Sequence, residues 1–336
     1  MKRVIAILFT ALLIGCTHRF DGVEDNTPVG NFETLWRTLD EKYCYFDEKE
    51  INWQLVHDTI APRVKYIAAD DYLGLFDCLA GMINLLNDGH VNLYSPFDIS
   101  ECKSWYEGYP DNFDWEMVKD NYLESYRLAG GMYYTTIADG EIGYVYCPSF
   151  EAGVSPNSMA YILRSFSDCK GMVVDVRNNG GGDLSNAERL AATFFSETRT
   201  VGSWQHKSGK AHDDFSALKE RKISKSDMPS SWLRPTIVLC NRHTYSAANY
   251  FVSAMRYADN CLILGGRSGG GGGMPMSYEL PNGWIVRFSS VRMFDKEGVS
   301  IENGIKPHLV VNQKSEDKDD IIEKAVEIIK RVYKEN

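Results

Sequence analysis

Continuous apolar segments that alternate with helical patterns occupy the second half of the chain. The apolar segments cover residues 142–146, 171–176, 236–240 and 261–264, and the helical patterns cover residues 157–166, 187–195 and 246–258. A strand that is apolar on both faces must be covered on both faces, which is typical of a parallel sheet lying between helices. The sequence therefore predicts an α/β domain over residues 131–336. It includes hairpin-like strands around Asn282-Gly283 and ends in a charged helix over residues 317–333.

The first half of the chain has a different periodicity. Apolar residues recur at the spacing of a helix at Phe32, Leu35 and Leu39, and again over residues 72–86. We therefore expect a small N-terminal helical domain over residues 30–95. Residues 96–130 are rich in aromatic and acidic residues with weak periodicity, and we interpret them as a connecting segment.

The N-terminus carries the pattern of a targeting signal. Lys2 and Arg3 precede an apolar run over residues 4–14 that is too short to span a bilayer, and Cys16 follows. This pattern resembles a bacterial lipobox. We therefore predict a lipoprotein signal peptide over residues 1–16, lipidation of Cys16 and a flexible tether over residues 17–29. A plain secretory signal with a chance cysteine is the alternative. The lipid would anchor the protein to a membrane of the cell envelope, at the outer membrane, on its periplasmic or surface side.

Charge and cysteine usage exclude several classes of function. The net charge is −10 and the basic residues are scattered, which argues against nucleic-acid binding, because phosphate contacts need clustered Lys and Arg. Seven cysteines remain after Cys16, widely spaced and without a Cys-x-x-Cys motif. We interpret most of them as small core residues and leave one or two disulfides open. Without clustered Cys and His, or a nucleotide-binding glycine motif, we predict no metal site and no cofactor.

Three polar segments stand where chemistry is expected. Ser246 follows a buried strand and begins a helix, where free N–H groups stabilise an oxyanion. The alternative is a serine that only caps the N-terminus of the helix, because a capping serine occupies the same position. Residues 175–183 end a strand in charged residues, amides and three glycines, which is typical of a ligand-binding loop or of a tight strand–helix turn. His90 follows the turn Asn87-Asp88-Gly89. It is one of seven histidines, and the sequence alone does not choose the base among them.

Together these segments resemble the tail-specific, or C-terminal processing, serine peptidases, in particular the branch with the tricorn core and the retinoid-binding-protein repeats. The resemblance covers roughly residues 30–312. It rests on Leu86-Asn87-Asp88-Gly89-His90-Val91, residues 175–182, Thr244-Tyr245-Ser246-Ala247-Ala248, residues 265–272, and Ile301-Glu302-Asn303-Gly304-Ile305-Lys306-Pro307. The family resemblance implies a crotonase-like (ClpP/crotonase type) mixed sheet with helices, preceded by the helical domain, and a peptide or protein substrate.

The resemblance also implies the composition of the site. It assigns the nucleophile to Ser246, the base to His90, the acid that orients the base to Glu302, and the oxyanion hole to the N–H groups of Ala247 and of Gly181 or Gly182. Many members use a Ser/Lys dyad, but no lysine lies between Ser246 and Lys296, and a glycine run fills the dyad position. A Ser/His/Glu triad that acts through an acyl-enzyme without a cofactor is therefore implied.

The chain departs from the family pattern at two residues and in one domain. Asn249 stands where an acid is often found, and His308 where the usual residue is Asp. About 40 residues separate Leu93 from Tyr133, too few for the family's peptide-binding PDZ domain. His243, in the loop of the nucleophile, is the rival base. A non-catalytic module that binds an apolar ligand or a peptide is the alternative function, and the natural substrate and oligomeric state are left open.

Overall fold

Two β-sheets with helices packed around them form the part of the chain that the structure describes. The computed structural model describes residues 25–335 except 226, 227 and 229. Within these residues the helices are α1 (Pro28–Lys42), α2 (Phe46–Lys49), α3 (Trp53–Val64), α4 (Tyr72–Asn84), α5 (Trp115–Tyr122), α6 (Pro156–Ser165), α7 (Leu184–Ala192), α8 (Ala247–Met255) and α9 (Asp320–Glu335). The strands are β1 (Asn92–Tyr94), β2 (Arg127–Ala129), β3 (Met132–Ile137), β4 (Ile142–Tyr146), β5 (Gly171–Asp175), β6 (Arg199–His206), β7 (Lys219–Ile223), β8 (Thr236–Cys240), β9 (Cys261–Gly265), β10 (Gly273–Glu279), β11 (Ile285–Asp295) and β12 (Leu309–Val310).

The larger sheet has seven strands in the order β12-β9-β8-β5-β4-β3-β2. The five strands from β12 to β4 are parallel, and β3 and β2 continue the sheet as antiparallel strands. All residues of β4, β5 and β8 are buried. The continuous apolar runs thus form the centre of a sheet that is covered on both faces.

Neighbouring residues of a central strand face opposite cores, because side chains alternate across a strand. Val174 packs in the core that contains residues of α6, α7 and α8. Val173 packs in the core that contains residues of α5 and α9. Helix α8, which begins directly after Ser246, is buried along its whole length, and its apolar side chains belong to the first of these cores. The nucleophile candidate is therefore held by a rigid element.

The smaller sheet joins the N-terminal helices to the rest of the molecule. Its strands pair antiparallel in the order β1-β11-β6-β7, with β10 on the other side of β11. Residues of α1, α3 and α4 share one core with residues of β10 and β11, including Tyr278 and Phe288. The Cys44 N–H donates to the Ser289 carbonyl (3.1 Å). The helical segment is thus packed directly on a sheet that also contains late strands.

A buried ion group fixes the end of β5. Arg177 is fully buried, and its guanidinium contacts Asp175 at 2.6 Å and Asp319 at 2.8 Å. It also donates to the Asn112 carbonyl (3.0 Å). The charged residues of the 175–183 segment therefore hold the chain in place, and the segment's chemistry is left to the amides and glycines that follow.

Several sequence-based predictions concern features outside the described residues. The predicted signal peptide and Cys16 lie there, and of the predicted tether only residues 25–29 are described, with α1 beginning at Pro28. No helix of the described residues is long and apolar enough to cross a membrane. The predicted connecting segment contains α5 and β2. All seven described cysteines are free thiols.

Candidate active site

Ser246 occupies a strained turn between β8 and α8. Its backbone lies at φ 56° and ψ −123°, a region that a non-glycine residue adopts at a cost of about 1–3 kcal/mol. Its N–H donates to the Gly270 carbonyl (2.9 Å), which helps to hold this conformation. Its side chain makes no capping bond to the helix. The N-cap interpretation is therefore wrong, and the turn instead presents the hydroxyl outward in the manner of a nucleophile elbow.

His90 lies within hydrogen-bond distance of that hydroxyl. His90 Nε2 and Ser246 Oγ lie 2.9 Å apart, although the two residues are 156 positions apart in the chain. The imidazole is 3% exposed, and its ring lies 4.9 Å from the Tyr245 ring. Burial lowers the pKa of His90 to about 4, and the Asp88 carboxylate opposes this shift only in part. The imidazole is therefore neutral at neutral pH and can accept a proton.

Asp88 is a site residue to which sequence analysis assigned no role. It is buried, and its Oδ1 accepts the His90 backbone N–H at 2.8 Å. Its carboxylate also accepts the hydroxyls of Tyr43 (2.9 Å) and Tyr245 (3.3 Å). These bonds fix the loop that carries His90. The motif around Asp88 was visible in the sequence, but its partner Tyr43 lies 45 positions away and no local pattern indicates it.

Glu302 does not contact His90, although the family resemblance implied that it orients this residue. Its Oε1 lies 2.7 Å from Lys49 Nζ, and its Oε2 accepts the Gly272 N–H at 2.8 Å. Among the described residues, His90 Nδ1 has no hydrogen-bond partner. The physical reason for the difference is that α2 brings a lysine ammonium to the buried Glu302 carboxylate, and this charge takes the oxygen that an imidazole would need. Lys49 was not among the site residues predicted from the sequence.

The Lys49–Glu302 pair links the two halves of the site. Lys49 also donates to the Asn87 carbonyl (3.0 Å), in the loop that leads to His90. Glu302 holds the glycine run, because its carboxylate accepts from Gly272 and its carbonyl accepts from the Gly271 N–H (3.1 Å). Burial and the Asp88 carboxylate raise the pKa of Glu302 above its usual range, and the Lys49 ammonium opposes them.

The N–H groups predicted to form the oxyanion hole differ in whether they already have a hydrogen-bond partner. The N–H of Ala247, at the first turn of α8, and the N–H of Gly182 donate to no atom of the described chain. The Gly181 N–H donates to the Asn179 side chain (2.9 Å), so it is not free to bind an oxyanion. Gly181 has a packing role instead: with φ +106°, a Cβ there would lie 2.7 Å from the Ser246 Cβ. Ala247 and Gly182 remain as the donors.

Contacts explain the positions of Asn249 and His308, the two departures from the family pattern, and of His243, the rival base. Asn249 is buried, donates to the Ile301 carbonyl (2.9 Å) and accepts from Ser268 (2.7 Å). His308 Nδ1 accepts the Ile263 N–H at 3.0 Å, so Asn249 holds two loops together and His308 supports β9. The His243 ring lies 4.8 Å from the Tyr106 ring, and the contact to Ser246 Oγ is made by His90.

Two cavities flank Ser246. One has a volume of about 100 Å³ and is lined by Gly182, Ser246, Ala247 and apolar side chains such as Met274 and Met293. The other has a volume of about 450 Å³ and is lined by aromatic rings together with polar side chains such as Glu101 and Asn178. A hydroxyl on a strained strand-to-helix turn, paired with a buried neutral imidazole beside free N–H groups, is the arrangement of serine hydrolases.

Comparison with known proteins gives the family. The family model described as Peptidase family S41 matches residues 141–311, and the model described as Tricorn protease C1 domain matches residues 25–82. A solved structure from Parabacteroides merdae is 43% identical, has a TM-score of 0.86, and covers 90% of this chain and 96% of that chain. The chain therefore belongs to peptidase family S41, the family of the C-terminal processing serine peptidases. The resemblance inferred from the motifs is confirmed.

More distant relatives agree on family and fold. The Carboxy-terminal processing protease CtpA of Bacillus subtilis is 27% identical over 178 residues, which are 52% of this chain and 36% of that protein. The match thus spans about a third of the length of that curated relative. The structure of mature CPAF, 13% identical with a TM-score of 0.66 over 92% of this chain and 96% of that one, shares the fold alone. The predicted mixed α/β fold class with an N-terminal helical region is confirmed.

Proposed function

We propose that this protein is a serine peptidase that cleaves peptide bonds through an acyl-enzyme on Ser246, with His90 as the base. The observation that carries the proposal is the 2.9 Å contact between Ser246 Oγ and His90 Nε2 at a strained turn. Membership of peptidase family S41 supports a peptide or protein as the substrate. The proposed reaction uses the chain's own side chains, backbone N–H groups and water.

The first half of the reaction forms the acyl-enzyme. Ser246 Oγ attacks the carbonyl carbon of the scissile bond while His90 Nε2 takes the hydroxyl proton. The carbonyl oxygen becomes an oxyanion and accepts from the N–H groups of Ala247 and Gly182. The imidazolium then gives its proton to the leaving nitrogen, the C–N bond breaks, and the acyl group stays on Oγ. In the second half, His90 deprotonates a water molecule, which attacks the acyl carbon and releases Ser246.

Glu302 has a different role in this proposal from the one that the family resemblance implied. Its contacts to Lys49 and Gly272 make it a residue that positions the glycine run, whose Gly270 carbonyl accepts the Ser246 N–H. The charge that most opposes the effect of burial on His90 is that of Asp88. We therefore expect Glu302→Gln to reduce turnover less than Ser246→Ala or His90→Ala does.

Labelling with a fluorophosphonate probe tests the proposal, because only an activated serine reacts. The wild-type protein is expected to label, Ser246→Ala and His90→Ala are expected not to, and Ser167→Ala, which changes an exposed serine, serves as the control. A non-catalytic binding module, the alternative from the sequence, would leave the wild type unlabelled and unable to hydrolyse peptides. That result would contradict the proposal.

We also propose that a lipid on Cys16 anchors the peptidase in the cell envelope. The support is the sequence pattern of a charged start, a short apolar run and a cysteine. Cys16→Ser is expected to leave an unprocessed or unlipidated precursor, detected by mass and by membrane fractionation. A variant that matures to the same size and membrane association as the wild type would favour the plain secretory signal.

A further inference from the structure

The larger of the two cavities beside Ser246 is not used by the mechanism above. Its volume is about 450 Å³, and its lining includes Gly89, Trp105, Tyr106, Gly180, His243 and Tyr245. Two of these, Trp105 and Tyr106, come from the segment between β1 and α5. This segment, defined here as the aromatic loop over residues 101–110, lies where the family resemblance leads one to expect a PDZ domain.

The lining residues indicate that the cavity and the smaller pocket lie on either side of Ser246. The same two loops line both: Gly180 and Tyr245 face the larger cavity, whereas Gly182 and Ala247 line the smaller pocket. A peptide that passes from one cavity to the other must therefore cross Ser246. The two cavities together have the arrangement of subsites on either side of a scissile bond.

The positions of the oxyanion and of the proton donor in the proposed mechanism indicate on which side of the scissile bond each cavity lies. The carbonyl oxygen must point at the N–H groups of Ala247 and Gly182, which line the smaller pocket. The leaving nitrogen must approach His90 Nε2, because it receives the proton from that atom. Gly89, the neighbour of His90, and Tyr245, whose ring contacts the imidazole, line the larger cavity. The larger cavity is therefore on the side of the leaving group.

Part of the wall of the larger cavity is aromatic and held in place, and Glu101 and Asn178 supply polar wall beside it. The Trp105 ring stacks on the Tyr245 ring at 4.2 Å and 28°, and the Tyr106 ring lies 4.8 Å from the His243 ring. Arg242 anchors the aromatic loop, since its Nε donates to the Trp105 carbonyl and its guanidinium lies 4.1 Å from the Tyr109 ring. Fixed aromatic faces bind another aromatic ring better than they bind a small side chain.

We propose that this cavity is the subsite for the residue that follows the scissile bond, and that it selects an aromatic side chain. Its volume is several times that of the pocket on the acyl side, which is limited to a small apolar side chain. The subsite rests on the proposed function, because it requires an acyl-enzyme and a leaving group. Trp105 and Tyr106 are its specificity-determining residues.

Interception of the acyl-enzyme by amines tests this side of the site separately. An ester substrate with a fixed acyl group loads Ser246, and phenylalaninamide or alaninamide then competes with water for the acyl group. The new bond joins the acyl carbon to the amine nitrogen, the bond between the acyl carbon and Ser246 Oγ breaks, and His90 takes the amine proton and passes it to Oγ. Because the amine must occupy the position of the leaving group, wild-type enzyme is expected to prefer phenylalaninamide by about tenfold or more, as burial of a ring against aromatic walls provides.

Variants locate the selectivity within the cavity. Trp105→Ala and Tyr106→Ala are each expected to reduce the ratio of phenylalaninamide to alaninamide capture by about fivefold or more. Trp115→Ala is the matched control, because Trp115 follows the same loop but packs on Tyr133 and Tyr146. Its ratio is expected to equal that of the wild type. The ratio is compared between enzymes that fluorophosphonate labels, so that a misfolded variant is recognised.

The outcomes separate this inference from the proposed function. Ester hydrolysis with equal capture of both amides overturns the subsite and leaves the peptidase proposal standing. A strong preference that is the same in Trp105→Ala, Tyr106→Ala and Trp115→Ala overturns the assignment to this cavity. Absence of both ester hydrolysis and labelling in the wild type overturns the proposed function, and the subsite with it.

Discussion

The ion pair between Lys49 and Glu302 offers the sharpest test of how this site is held together. Nζ and Oε1 lie 2.7 Å apart, and the two side chains are 12% and 2% exposed. Lys49→Met keeps most of the volume of the side chain and removes its charge. The Glu302 carboxylate is then left buried, near Asp88 and with the Gly272 N–H as its remaining partner.

The expected loss follows from the cost of a buried charge without its partner. Breaking a buried pair by removing one member costs about 3–5 kcal/mol of folding free energy. Glu302→Gln removes the buried negative charge, and Lys49 still reaches the Asn87 carbonyl, so a smaller loss of about 1–3 kcal/mol is expected. The double variant leaves neither charge. Its loss should therefore be less than the sum of the two single losses by about 1–3 kcal/mol.

Urea unfolding of the four proteins measures these terms. The control is Lys324→Met, which breaks a pair of similar length to Glu327 (2.7 Å) whose side chains are 37% and 57% exposed. That loss is expected to stay below about 1 kcal/mol. The loss for Lys49→Met should also shrink at acidic pH. Burial raises the pKa of Glu302, so falling pH neutralises the unpaired carboxylate in the folded protein first. Equal losses for Lys49→Met and Lys324→Met, or additive losses in the double variant, would refute the reasoning.

Three further outcomes concern the catalytic pair. Because burial lowers the pKa of His90 to about 4, kcat/KM on an ester should fall only as pH drops through about 4. A limb near the ordinary histidine value of about 6.5 that persists in Glu302→Gln would contradict a buried neutral base. Gly181→Ala places a Cβ 2.7 Å from the Ser246 Cβ at φ +106°, so fluorophosphonate labelling should fall at least about tenfold. Gly153→Ala is the control: its Cβ meets no atom within 4 Å, and this variant should label normally. Turnover of the Ser246→Ala/His90→Ala double variant should be close to that of either single variant, because the pair acts as a unit; a further loss of similar size in the double variant would argue against it.

The strands, and the segments that carry Ser246 and His90, could be predicted because local sequence defines them. The run over residues 236–240 coincides with β8, and the run over residues 142–146 with β4, since a strand buried on both faces has few polar positions. Ser246 and His90 were assigned through motifs whose residues are adjacent in the chain. The segment over residues 96–130 was not predicted in detail, because α5 and β2 are short and Trp115 of α5 packs on Tyr133 and Tyr146, which lie outside the segment.

The parts of the site that could not be predicted depend on contacts that no local pattern indicates. Lys49 is an ordinary charged residue at the end of the four-residue helix α2, and Glu302 lies about 250 positions further along the chain. The Gly181 N–H was a reasonable oxyanion donor until the Asn179 side chain, two residues earlier, was seen to accept from it. Lys49 carries a charge and contacts the Glu302 carboxylate that the family pattern had assigned to His90. The Asn179 side chain is close in the chain and accepts the Gly181 N–H that the family pattern had assigned to an oxyanion.

These long-range contacts have a consequence for how activity arises during folding. The nucleophile belongs to the α/β layers, whereas the base and its supports come from the N-terminal segment: His90, Asp88, Tyr43 and Lys49 all precede β1. His90 and Ser246 are 156 positions apart, so bringing the proposed base to the proposed nucleophile closes a long loop and costs conformational entropy. Packing of the N-terminal helices on β10 and β11 buries apolar side chains and offsets this cost. We therefore expect the smaller sheet to be needed for the contact between Ser246 and His90.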